Sequence, residues 1–205
     1  MIFEDIEKTI DTLNISTITK DRKAILQPLI DYIQDKVDNN KEVIINFICT
    51  HNSRRSHLSQ IWAQTMAHFK NIRNVRCYSG GTEATAVFPK VIETLQSQGF
   101  KTIELSKSNN PIYSVRFNQN ALPIIGFSKT YDNAFNPQSE FAAVMTCSQA
   151  DTGCPFIAGA EKRIPITYED PKLFDDTKQQ NEKYLERSLQ IASEMLYVFS
   201  SIKKA

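Results

Sequence analysis

Cys49 and Arg55 enclose five residues, Thr50, His51, Asn52, Ser53 and Arg54, and Ser56 follows directly. These residue types suit attack on a phosphate-like group. A thiolate is a nucleophile wherever its surroundings favour loss of the proton. The planar guanidinium of Arg55 can grip two oxygens of a tetrahedral oxyanion. The hydroxyl of Ser56 can donate a hydrogen bond to the sulfur, and the backbone N–H groups of the segment can surround the anion. Cys49 is therefore the candidate nucleophile. Thr50, His51, Asn52, Ser53, Arg54, Arg55 and Ser56 are the candidate oxyanion-binding residues.

That chemistry needs elements to position it. The apolar run 43–48 before the segment reads as a buried strand, and 56–69 after it reads as a helix. A strand, a tight loop and a helix N-terminus form an anion site, because the loop amides converge and the helix dipole adds positive potential. The same field favours a thiolate over a thiol. A cysteine and an arginine at this spacing occur together in many unrelated chains. The placement between strand and helix is what makes them informative.

Two further features fit such a site. Transfer chemistry needs a general acid for the leaving group, and Asp170, on a turn fixed by Pro171, is the candidate; by itself an Asp-Pro pair is an everyday turn. Cys147 and Cys154 stand seven positions apart with small polar residues between them, a segment read as flexible. Two thiols beside a thiolate site suggest relay by thiol–disulfide exchange. A zinc site is the other use of such a pair, but His51, His57 and His68 show no matching ligand spacing. His57 and His68 read as surface residues, Trp62 and Cys77 as core. Arg54 either adds positive potential or points to solvent.

The rest of the chain alternates strand and helix. Residues 75–79 read as a second strand ending at Gly80-Gly81, 87–98 as a helix stopped by Gly99, 141–146 and 163–167 as third and fourth strands, and 178–200 as a closing helix. Such alternation implies an α/β fold, a parallel four-stranded sheet flanked by helices. Residues 1–40 read as an N-terminal helical extension, with Phe3, Ile6, Ile10 and Leu13, then Ile25, Leu29, Ile33 and Val37, at helical spacing. Its simplest use is to cover core surface; the sharper one is a homodimer interface. Residues 41–205 form the catalytic domain. Within it, 107–137 reads as an insertion, either an irregular hairpin or a loop over the site.

The chain has 205 residues, 41% hydrophobic and 23% charged, with a net charge of +1. That balance suits one soluble globular unit and gives no reason to expect nucleic acid or a membrane surface as partner. The N-terminus is acidic and amphipathic, unlike a signal peptide, so a cytoplasmic location is expected. There the four cysteines should be mostly reduced, with any disulfide catalytic.

Taken together, these motifs resemble the low-molecular-weight tyrosine phosphatase superfamily, and within it the thioredoxin-coupled arsenate reductases. Cys49 through Ser56 matches the anion loop. Ser79-Gly80-Gly81-Thr82-Glu83 resembles the turn after the second strand. Cys147 and Cys154 match the reductases' redox pair, and Asp170-Pro171 the acid-bearing turn. The resemblance implies that Cys49 attacks arsenic, with Arg55 holding the oxyanion and Asp170 protonating the leaving oxygen. Cys147 then attacks Cys49 to release arsenite, Cys154 attacks Cys147, and a thioredoxin-like partner reduces the final pair. It implies that Asn52 holds the shape of the loop. No cofactor is implied, and Gln60 stands where some reductases hold potassium with a glutamate, which argues against that ion here. His51 replaces the family's usual glycine, which implies strain or a narrowed pocket if the position needs φ > 0. Arg54 stands where a small residue is common.

Three functions compete. An arsenate reductase needs all three cysteines. A phosphatase acting on phosphotyrosine or aryl phosphates needs only Cys49, Arg55 and Asp170. An oxyanion-binding or redox-sensing module would bind without turnover.

Overall fold

The computed structural model describes residues 1–154 and 156–204. Val- and Ile-rich runs form a parallel sheet. Its strands are β1 (Val43–Cys49), β2 (Val75–Gly81), β6 (Phe141–Met145) and β7 (Ala160–Pro165). The order is β2-β1-β6-β7, so β1 lies between the strand that follows it and a strand from far down the chain. Crevices of open α/β sheets form at that reversal, beyond the C-terminal strand ends, and β1 ends there on Cys49.

The helices are α1 (Glu4–Asp11), α2 (Lys20–Asp38), α3 (Arg55–Phe69), α4 (Pro89–Ser97), α5 (Ser148–Gly153) and α6 (Gln180–Ser200). Alternate strand residues split between two cores. Val43, Ile45, Phe47 and Val144 join a large core with Trp62, Leu29, Leu95 and Met195 from the helices. Ile48, Ala143 and Met145 join a small cluster with Ala150 of α5, Ile157 and three of the cysteines. The long helices thus share one core, and the other is closed by α5 and loop segments.

The N-terminal extension is helical, as expected, and Ile6, Ile10, Leu29 and Ile33 are buried in the large core. Its apolar stripe therefore covers this chain's own interior. Ile25 differs from expectation: it is 43% exposed, and Leu26 takes its place inside. Pro28 lies inside α2, and the helix accommodates it. Thr19 caps α2 through its side chain, which accepts from the Arg22 amide at 3.2 Å.

Residues 101–126 hold a second sheet that the sequence patterning does not reveal. Three short antiparallel strands, β3 (Lys101–Glu104), β4 (Tyr113–Arg116) and β5 (Ile124–Gly126), pair in that order. The hairpin alternative for the insertion is the one observed, with β3 added from outside it. None of the described helices is long and apolar enough to cross a membrane.

Candidate active site

The loop after β1 is shaped by what its carbonyls do. Cys49 O accepts from the Thr82 amide at 3.1 Å, and Thr50 O from the Glu83 amide at 2.8 Å and the Thr82 hydroxyl at 3.1 Å. The hydroxyls of Thr85 and Ser128 donate to His51 O at 3.1 and 2.9 Å. Ring Nε2 of His57 donates to Asn52 O at 2.9 Å, and the Phe88 amide to Ser53 O at 3.1 Å. Each planar peptide points its N–H opposite to its C=O. Five carbonyls tied to the surrounding shell therefore turn the following amides toward the loop interior. Among the described residues, no amide from Thr50 to Arg55 donates to a protein acceptor. The loop therefore has the geometry of an anion nest at the start of α3.

Asn52 makes the turn, with φ of 43°, a left-handed conformation that asparagine tolerates better than most residues. Its Nδ2 donates to Ser56 Oγ at 2.8 Å, and its Oδ1 accepts from the Lys129 amide at 2.9 Å. With Ser56 Oγ already accepting, its own proton is free for Cys49 Sγ, 3.1 Å away. His51 is absent from the positive-φ residues, so the strain anticipated for replacing a glycine does not arise. Its imidazole lies at the rim, with Nδ1 3.4 Å from Glu83 Oε2. The Gly-Gly turn is required on steric grounds. A Cβ on Gly81 would stand 2.4 Å from Glu83 O and 2.7 Å from Asn52 N, and one on Gly80 would stand 2.4 Å from Tyr131 Cα.

Arg55 is held from two sides: its guanidinium donates to Tyr168 O at 3.0 Å and to Asp170 Oδ2 at 2.5 Å. The structure thus brings the candidate clamp and the candidate acid into direct contact. Asp170 also caps the following turn, its Oδ1 accepting from the Lys172 amide at 3.1 Å.

Arg54 corrects the sequence reading. Its guanidinium neither faces solvent nor serves the anion loop. It donates to Tyr184 OH at 2.6 Å and Asp175 Oδ2 at 2.5 Å, over the ring of Phe88 at 4.1 Å. His57 is a second correction, being 1% exposed rather than a surface residue. Nε2 donates to Asn52 O, which leaves Nδ1 to accept from the Ser79 hydroxyl at 3.3 Å. Burial, and then the charge of Lys129, push its pKa down to about 3, so the ring is neutral. His68 is exposed and Trp62 is core, as expected. Cys77 is buried and its thiol pushed up by burial, which keeps it protonated.

The candidate cysteine pair, Cys147 and Cys154, lies at the same strand ends. Ile48 pairs with Met145, so Cys147 is one residue beyond the partner of Cys49 on the adjacent strand. Cys147 Sγ is 3.4 Å from Thr50 Oγ1 and accepts from the Ala150 amide at 3.3 Å. The segment read as flexible is ordered here as α5, with Cys147 and Cys154 capping its two ends. All three cysteines share the small cluster and are free thiols.

A cleft of about 690 Å³ opens beside the loop, lined by His51, Arg55, Gln149, Tyr168, Asp170 and Leu173 among others. A larger cavity of about 970 Å³ lies at the opposite strand ends, beside Lys41 and Arg73, away from the cysteines. Sequence reasoning missed the residues that hold the loop from outside: Thr82, Thr85, His57, Ser128 and Lys129. Only Thr82 carried a signal, in the motif after the second strand.

No family model matches the chain. Arsenate reductase 2 of Staphylococcus epidermidis is 30% identical over 127 residues, covering 62% of this chain and 77% of that protein. A low-molecular-weight phosphotyrosine phosphatase from Vibrio cholerae superposes with a TM-score of 0.53 at 14% identity, over 77% of this chain and 94% of its own. An arsenate reductase solved in a phosphate-binding state superposes with a TM-score of 0.50 at 18% identity, over 78% and 99%.

Proposed function

The chain belongs to the arsenate reductase family and has the fold of the low-molecular-weight tyrosine phosphatases, and from that premise we propose that it reduces arsenate to arsenite with three of its cysteines. The observation that carries this reading is the position of Cys147, beside Thr50 and one residue past the strand partner of Cys49. A phosphatase has no use for a second thiol there.

In this mechanism the loop amides and Arg55 hold arsenate, and the thiolate of Cys49 attacks arsenic. Asp170 gives its proton to the departing oxygen, which leaves as water. Asp170 must first part from Arg55, since the ion pair occupies the fork that the oxyanion needs. Cys147 then attacks Cys49 Sγ as a thiolate. The sulfur–arsenic bond breaks, its electron pair stays on arsenic, and arsenite departs. The two sulfurs become a disulfide, so the thiols lose the two electrons that arsenic gains. Cys154 attacks Cys147 Sγ next and releases Cys49 as a thiolate. A thioredoxin-like dithiol returns two electrons to the Cys147–Cys154 pair, in a reducing compartment such as the cytoplasm.

The cycle requires α5 to open. A helix advances about 1.5 Å per residue, so its ends stand roughly 10 Å apart, whereas a disulfide needs Cα atoms within about 7 Å.

The cleft favours a second activity, hydrolysis of aryl phosphates through a Cys49 phosphoenzyme, because about 690 Å³ leaves room beyond an inorganic oxyanion. Arsenite formation with thioredoxin, thioredoxin reductase and NADPH separates the two. Turnover lost in both Cys147→Ser and Cys154→Ser supports the relay. No turnover in wild type, with Cys49-dependent hydrolysis of an aryl phosphate, would make the protein a phosphatase.

A further inference from the structure

Arg22 belongs to α2, in the N-terminal extension, yet its side chain reaches Tyr168, the residue whose carbonyl holds Arg55. It pairs with Glu194 of α6 in a bidentate fork, Nε to Oε1 and Nη2 to Oε2, both at 2.8 Å. Glu194 is 2% exposed, and its Oε1 also accepts from Gln190 Nε2 at 3.2 Å. The guanidinium carbon lies over the ring of Tyr168, 4.9 Å from its centre. Tyr168 is itself 5% exposed, and its backbone joins the two halves of the site. Its amide donates to Thr146 O at 3.1 Å, next to Cys147, and its carbonyl receives Arg55 at 3.0 Å.

We infer that Arg22 is a positioning residue for Arg55: it fixes the Tyr168 ring, and through it the carbonyl that aims the clamp at the loop. Tyr168 stands two residues before Asp170, so the same contact sets the base of the acid-bearing turn. A planar fork can bind a carboxylate and stack on an aromatic face at once, which a lysine cannot do. The Glu194 pair orients the fork, and the Tyr168 stack uses its face. The inference rests on the reading of the Cys49 loop as an oxyanion site and gives the extension a part in that site beyond covering the core.

Removing Arg22 alone would leave Glu194 buried without its partner and threaten the fold. The test therefore uses two variants, Arg22→Lys and the double change Arg22→Met with Glu194→Met. The first keeps the charge opposite Glu194, and the second replaces the pair with apolar chains of similar volume. Protection of Cys49 by inorganic phosphate is read as the rate of iodoacetamide labelling, by mass spectrometry of the Cys49 peptide. The phosphate concentration for half-protection should rise roughly tenfold in the double variant and less in Arg22→Lys, with labelling without phosphate unchanged. General loosening would instead speed labelling of Cys49 and of buried Cys77 together. Wild-type half-protection in either folded variant overturns the inference. Absence of protection in wild type overturns the oxyanion reading and the inference with it, whereas protection without arsenate turnover would sink only the reductase.

Discussion

Arg55 and Asp170 hold each other at 2.5 Å across the mouth of the loop, with side chains 10% and 29% exposed. In the proposed mechanism, the clamp for the anion and the acid for the leaving group thus occupy one another until substrate arrives. Asp170→Asn should separate their roles. The neutral amide competes less well for Arg55, so phosphate should protect Cys49 at several-fold lower concentration than in wild type. Turnover should fall by about 10²- to 10⁴-fold, as for loss of a general acid. Weaker phosphate binding in this variant would mean that Asp170 supports Arg55 rather than competing with the anion.

The ends of α5 are too far apart for a disulfide between its capping cysteines. Oxidation of the protein to the Cys147–Cys154 form should therefore strip hydrogen-exchange protection from the amides of Asp151 and Cys154, which bond to Cys147 O and Ala150 O at 3.0 Å. The helices of the large core should keep theirs. In Cys154→Ser the relay should halt one step earlier, with one arsenite per chain and a Cys49–Cys147 disulfide found by mass spectrometry. Unchanged α5 protection after oxidation would exclude this pairing.

Arg54 closes a buried polar knot in which Asp175 accepts from Arg54 at 2.5 Å and from Tyr184 OH at 2.6 Å. Arg54→Met should destabilise the protein by about 3 kcal/mol, because Asp175 and Tyr184 lose their cationic partner inside the protein. Urea unfolding measures this directly. Phosphate protection of Cys49 in the folded variant should stay close to wild type. A tenfold loss of protection would return Arg54 to the anion site.

His57 links stability to pH. Its pKa stands at about 3 when folded and at the ordinary 6.5 when unfolded. Between those values the unfolded chain takes up a proton that the folded one refuses, so stability falls as pH drops from about 6.5 toward 3. His57→Gln keeps an N–H in reach of Asn52 O and has nothing to titrate. Between pH 6.5 and 4 it should lose about 3 kcal/mol less than wild type, from roughly 1.4 kcal/mol per pH unit. Parallel urea midpoints for the two proteins across that range would exclude the assignment.

Much of the site was legible because its signals are local. The run Val43–Ile48, the loop and the helix after it are contiguous, and burial of an apolar strand before a helix leaves little choice about where Cys49 falls. Asp170 and the cysteine pair were legible only as companions of that loop. Arg54 was not, since its partners Asp175 and Tyr184 lie 121 and 130 positions away. His57 looked like a surface residue because a helix start is usually wet, yet α3 is buried around almost its whole circumference. The strands β3, β4 and β5 have only four, four and three residues, too few for alternation to register. Their pairing depends on partners that local patterning cannot see.

The outward-tied carbonyls of the anion loop decide when its order is acquired. Thr82 and Glu83 come from the turn just after β2, Ser128 from the segment after β5, His57 from α3 and Phe88 from the residue before α4. Each brace forms as the protein folds, so an arriving oxyanion meets amides already converged and gives up little affinity to organising them. The dependence also runs the other way. A bound anion shields those converged dipoles from one another only in the folded chain, so phosphate or arsenate should act as a ligand for the whole fold and raise its unfolding temperature with concentration.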